Sequence, residues 1–260
     1  MVSNAVITSM IIQLVITTLV PIIALVYLRK KYNISFKVVL VGVMIFIGFS
    51  QILQSPIHMI VLGNDTIKGI LDSSPFLYAT YGSLSAAIFE GAGRFIAFLL
   101  VLKAYRKYED GLGYGIGHGG IESILIGGLV GVQNLVFAFS INNGSMAALI
   151  EKQPELGKIQ DVLVNAETYL FLLTSAERVM VLILQIAFTL LMLYGIKYKN
   201  HMYVAYSVLF HMFVDFFAAL YQKQVINLFA VEGIIFVCTI AAIFVIRNMK
   251  EKLQAEPIES

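Results

Sequence analysis

Seven long apolar runs divide this chain, at roughly 5–28, 37–62, 76–102, 114–139, 169–196, 202–221 and 226–247. Each is near or above the ~20 residues that carry an α-helix across a hydrocarbon core. The pattern predicts an all-α, polytopic membrane protein with seven transmembrane helices. The first run lacks a basic leader and is longer than the apolar core of a signal peptide, so it reads as an uncleaved span. The segment 140–168 is the longest connection. Its stretch "MAALIEKQPELGKIQDVLVNAE" suits a short amphipathic helix at the membrane surface, but Pro154 and Gly157 argue against a continuous one.

The polar connections fall into two alternating classes. "RKKYNISFK", "KAYRKYEDG", "KYKNH" and "RNMKEK" hold twelve of the 18 Lys and Arg residues. The alternate connections hold only Lys68, Lys152, Lys158 and Lys223, and the last two cations, Arg94 and Arg178, lie within spans. The positive-inside rule places the basic class in the cytoplasm. The N-terminus is then outside and the C-terminus inside, as an odd number of spans requires.

Composition agrees with this picture. The chain has 260 residues, 59% hydrophobic and 13% charged, with a mean hydropathy of +0.85. A soluble domain carries roughly twice that charged fraction. No polar stretch is long enough for a second domain, so residues 1–260 are expected to form one integral membrane domain with a disordered tail at about 252–260. The net charge of +2 and the lack of a basic face exclude nucleic acid as a partner. The lone Cys238 rules out an internal disulfide and a thiolate zinc site.

Ionisable residues within spans are then the informative ones, since each costs on the order of 3 kcal/mol to insert. Three pairs share one spacing: Glu90 and Arg94, His118 and Glu122, His211 and Asp215. Residues four apart lie one turn apart on the same helix face. Three helices therefore each present a polar stripe, and two of the stripes contain histidine. They suit one polar centre built jointly. Glu177 and Arg178 are neighbours about 100° apart around their helix, and suit pairing with other helices better than chemistry. His58 and Glu232 lie nearer the expected external interface and read as structural. The glycine-rich "GLGYGIGHGGIES" lacks the Lys-Ser/Thr end of a phosphate loop.

At these residues the chain resembles the YhfC family of bacterial membrane proteins. That family is placed with the CAAX prenyl proteases, the bacteriocin-immunity-type proteases and the PrsW proteases. The wider group has three motifs: a glutamate pair followed by arginine, an aromatic residue four before a histidine, and a histidine four before an asparagine. Here they read "FEGAGR" with Glu90 and Arg94, "YGIGH" with Tyr114 and His118, and "HMFVD" with His211 and Asp215. Two positions depart from the group. Phe89 stands where the first glutamate belongs, so the base is Glu90, or else Glu122 or Glu177. Asp215 replaces asparagine, and an ionised aspartate accepts hydrogen bonds without donating any.

The resemblance implies a glutamic-type intramembrane endopeptidase in the bacterial cytoplasmic membrane, acting on a membrane-embedded or membrane-associated peptide substrate. Glu90, His118 and His211 are the candidate catalytic residues. Arg94, Asp215, Glu122 and Glu177 are supporting ones. In that scheme Glu90, helped by His118, takes a proton from water, and His211, held by Asp215, stabilises the oxyanion. No cofactor or metal is expected, because Arg94 sits one turn from the carboxylate and competes with a dication. Two imidazoles and a carboxylate nevertheless form a credible zinc donor set. The rival functions are an inactive binding or scaffold protein and a proton-coupled transporter, for which polar stripes also serve.

Overall fold

The structure, a computed structural model, describes residues 1–254. It is helical throughout, and no strand occurs among the described residues. Seven helices are long and apolar enough to cross a membrane: Asn4–Tyr32, Phe36–Gly63, Pro75–Val101, Tyr108–Asn142, Thr168–Lys197, His201–Gln222 and Leu228–Gln254. They are called spans one to seven below.

Span four starts well before the position that hydropathy gives. Glu109 and Asp110 look like loop residues, yet they occupy its first turn, where acidic side chains favour the positive end of the helix dipole. The Asp110 carboxylate accepts from the Lys107 backbone N–H at 2.8 Å, closing that turn as a capping-box residue would. Span seven runs to Gln254, into the segment expected as a tail, and residues 255–260 lie outside the described residues. The segment 140–168 forms two short helices, Met146–Lys152 and Leu156–Val164, interrupted around Pro154. A further helix, Asp65–Asp72, starts where the Asn64 side chain accepts from the Ile67 N–H at 3.1 Å.

Contacts group the chain into two compact units. One comprises Met1–Ile23 with Glu122–Val179. Its core joins Val2, Val6 and Met10 to Ala138, Leu163 and Phe171. Asn142 clasps the backbone of Val2, accepting from its N–H at 2.7 Å and donating to its carbonyl at 2.9 Å. Span four widens into π-helical turns over Ser123–Leu129. There Gln13 donates to the Gly127 carbonyl at 3.2 Å and Ser123 donates to the Thr17 carbonyl at 2.9 Å.

The second unit comprises Ala24–Ile121 with the chain from Met180 onward. Its central post is the second half of span five, where every residue from Leu184 to Leu193 is buried. Spans two and four cross with their backbones almost touching. A Cβ at Gly42 would collide with the Tyr114 carbonyl, and one at Gly117 with the Val39 carbonyl. Small residues permit this approach in membrane helices, and here it brings His118 into the interior. Spans three and six pack along their lengths. Beyond them, Lys223 at the end of span six pairs with Asp72 at 2.6 Å and lies 4.1 Å from the centre of the Tyr78 ring. The hydrogen bond from Lys223 holds the Asp72 carboxyl below its ordinary range. That tie is present above the ordinary carboxylate pKa and is lost as pH falls through the depressed value.

Orientation can be checked directly. Cysteine labelling of intact cells is expected to reach engineered sites in 140–168 and to miss sites in 103–107, because the basic connections should stay inside. External labelling at 103–107 would reverse the orientation.

Candidate active site

Glu90 and Arg94 lie one turn apart on span three, and both are buried, Arg94 at 1% exposure. A buried guanidinium must be paired and hydrogen-bonded to persist. The Arg94 Nη2 group donates to Glu90 Oε2 at 3.0 Å. It also donates to the side-chain carbonyl of Gln185 and lies 3.2 Å from His118 Nε2. Its remaining face lies over the Phe188 ring, 6.0 Å from the centroid.

Glu90 Oε2 is the hub of the site. It is 2.9 Å from His118 Nε2, accepts from Gln185 Nε2 at 3.2 Å, and is 3.8 Å from His211 Nε2. All of these residues belong to the second unit. Glu90 Oε1 takes no hydrogen bond from the described residues. One oxygen is therefore fixed by surrounding groups, and the other is not.

Aromatic rings set the two histidines. Tyr114, one turn before His118, stacks on it at 5.9 Å between centroids, and Phe46 meets its edge at 5.2 Å. Phe188 stacks on His211 at 4.9 Å. Ser207, one turn before His211, ties span six to span five by donating to the Phe188 carbonyl at 2.7 Å. The Nδ1 atoms of both histidines and the Tyr114 hydroxyl are buried without a hydrogen-bond partner among the described residues.

The three expected catalytic side chains thus come together. Asp215 joins them with a difference. The motif gives it the task of orienting His211, but its Oδ2 lies 3.3 Å from Nε2, the nitrogen that also faces Glu90. It is the most exposed member of the group, with 35% of its side chain accessible. Glu122 and Glu177, the alternative bases, both lie near Arg178. In the first unit the Arg178 guanidinium pairs with Glu177 beside it and lies 3.6 Å from Glu122. His58 stacks on Tyr81 and shares a 3.2 Å hydrogen bond with its hydroxyl, as a structural role requires.

Gln185 is a member of the site that the sequence does not announce. It is a neutral residue within "LILQIAF", so a search for charges passes over it. Its amide holds both members of the Glu90–Arg94 pair, accepting from one and donating to the other. The usable signal is an amide inside an apolar run of a helix already carrying Glu177 and Arg178, since buried amides need partners.

The model of the family described as "YhfC intramembrane metalloprotease" matches residues 16–236, a range containing every residue of the site. The membrane protein YhfC of Bacillus subtilis (strain 168) is 35% identical over 240 residues, covering 91% of this chain and 93% of that protein. The chain belongs to the YhfC family. No solved structure matches it. Membership and the seven spans together establish a multi-pass membrane protein of a protease family.

The family description raises the question of a metal, and the donor atoms permit a geometric test. Ligands held at ~2.0–2.1 Å by a tetrahedral zinc stand about 3.3 Å apart. Here His118 Nε2 and Glu90 Oε2 are 2.9 Å apart, Glu90 Oε2 and His211 Nε2 3.8 Å, and His211 Nε2 and Asp215 Oδ2 3.3 Å. His118 Nε2 also faces a guanidinium donor and a carboxylate acceptor at once, which no single tautomer satisfies. Two imidazoles and a carboxylate are donors of the kind a divalent ion takes, and the two separations from Glu90 Oε2 bracket the tetrahedral value.

Proposed function

We propose that the chain is an intramembrane endopeptidase whose hydrolytic centre is Glu90, His118 and His211. The observation that carries this reading is the convergence of three helices on one carboxylate oxygen in a buried site. His118, His211 and Glu90 would hold a divalent ion, with Asp215 as a further carboxylate. Such an ion supplies a Lewis acid and an acidified water.

The protein's own residues have separable tasks. Arg94 and Gln185 fix Glu90 through Oε2. The open Oε1 takes the proton of the attacking water and returns it to the leaving amine. Arg94 also favours the charged carboxylate, which is the form that acts as base. With no ion bound, His118 and His211 would instead face the reacting oxygen through Nε2. Phe46, Tyr114 and Phe188 keep the surroundings apolar, where fixed charges act strongly. Asp215, the most accessible member, lies on the side from which water and peptide would enter.

Arg94, one turn from the carboxylate, competes with a metal for it. Gln185 changes that balance, because its carbonyl engages the guanidinium and leaves the carboxylate less exclusively paired. A glutamate centre working without metal is the second reading, and the three groups around Oε2 support it. Both readings make Glu90 essential. Comparing membrane proteomes of cells carrying wild type or Glu90→Ala should reveal peptides with new termini only in the former. Identical termini in the two strains would favour a scaffold.

A further inference from the structure

The basic end of the first two spans holds a cleft remote in sequence from the site motifs. Its volume is about 440 Å³, and it is lined by Leu25, Val26, Arg29, Lys30, Asn33 and Phe36. All six belong to the second unit. We propose that this cleft binds an anionic phospholipid, with the phosphate at Arg29, Lys30 and Asn33 and an acyl chain along Leu25, Val26 and Phe36.

The residue spacing has the polarity of such a molecule. Leu25 and Arg29 are one turn apart on the same helix face, and so are Val26 and Lys30. Each cation therefore stands directly beyond an apolar side chain, as a phosphate stands beyond its acyl chain. Val26 is 49% exposed and Phe36 56%, so this apolar wall is not covered by the protein. The turn between the helices is tight, with Asn33 at φ +50°. Arg29 is held in place there. Its Nε donates to the Ile34 carbonyl at 3.3 Å, and its guanidinium lies 5.6 Å from the Phe36 ring centre.

Among the described residues this positive charge has no ion-pair partner. Residues 1–64 contain no Asp or Glu, while Arg29, Lys30, Lys31 and Lys37 cluster at this end. Lys31 is turned to Tyr27 and Tyr32, and Lys37 to Tyr105. No carboxylate forms an ion pair with Arg29 or Lys30 among the described residues. Basic pockets at helix ends recognise acidic headgroups by this charge complementarity. A free phosphate would use the cations alone. A zwitterionic lipid would use the apolar wall but brings its own cation. An anionic phospholipid uses both parts of the cleft.

The test is binding by the purified full-length chain in detergent, measured by native mass spectrometry with phosphatidylglycerol, phosphatidylcholine of the same acyl chains, and inorganic phosphate. Wild type should prefer phosphatidylglycerol over phosphatidylcholine by at least about tenfold. Arg29→Gln/Lys30→Gln should weaken phosphatidylglycerol binding about thirtyfold, two cations contributing about fivefold each. Lys30→Gln alone, which spares the Arg29 turn contact, should lose about fivefold. Lys103→Gln/Lys107→Gln removes the same charge from another exposed stretch and should change binding less than twofold. Equal loss in that control would mean general surface attraction, and the proposal would fail. It would also fail if the two lipids bound equally, or if phosphate displaced the lipid at comparable concentration. None of these outcomes depends on proteolysis.

Discussion

Glu90→Gln is expected to lower the rate of substrate cleavage by about 10²- to 10⁴-fold, the range that a positioned general base contributes. Glutamine keeps the length of the side chain and an oxygen that can accept from Arg94, so helix packing should survive. It removes the charge and the proton acceptor. Gln185→Leu should fall less, by about 10- to 100-fold, since it leaves the carboxylate but strips one of its donors and frees Arg94. Glu177→Gln should retain nearly full activity, because that carboxylate is paired with Arg178 beside it. The measurement is cleavage of a membrane substrate by purified protein, with circular dichroism confirming helicity. Full activity in Glu90→Gln with loss in Glu122→Gln would preserve the peptidase and move the base.

The second large effect concerns metal. The purified wild-type chain should carry about one zinc-class ion, determined by elemental analysis, and His118→Ala and His211→Ala should each carry almost none. Each substitution removes one of two imidazole donors and leaves a set too small for a tight site. The assay reads binding, so it is independent of finding a substrate. Treatment with a strong chelator should abolish cleavage, and added zinc should restore it. Full activity in a metal-free preparation would select the glutamate centre that works without metal, with Arg94 and the two histidines around Glu90.

Much of this arrangement is legible in the order of residues along the chain. Hydropathy alone places seven spans, because the ~20-residue requirement for crossing hydrocarbon leaves so long an apolar run few alternatives. The i,i+4 pairs are legible for a related reason. Charge is costly within the membrane, so Glu90, His118 and His211 announce themselves, and helix periodicity says which residues share a face. Other features are hidden by their chemistry. Gln185 is neutral and sits among leucines and isoleucines. The start of span four is hidden because Glu109 and Asp110 depress local hydropathy while stabilising a helix N-terminus. The π-helical turns at Phe46–Gln54 and Ser123–Leu129 have no compositional signature. The contact of Asp215 with His211 Nε2 depends on side-chain rotamers, which a four-residue spacing does not specify.

The central claim is that water attacks a peptide bond at Glu90, His118 and His211. Cleavage of a membrane substrate in H₂¹⁸O, followed by mass spectrometry of the products, tests it most directly. Wild type should generate new carboxyl termini carrying one ¹⁸O, and Glu90→Gln should generate none while still binding the substrate. A purified wild-type chain that binds membrane peptides yet leaves them intact, with no ¹⁸O incorporated under metal-replete conditions, would contradict it.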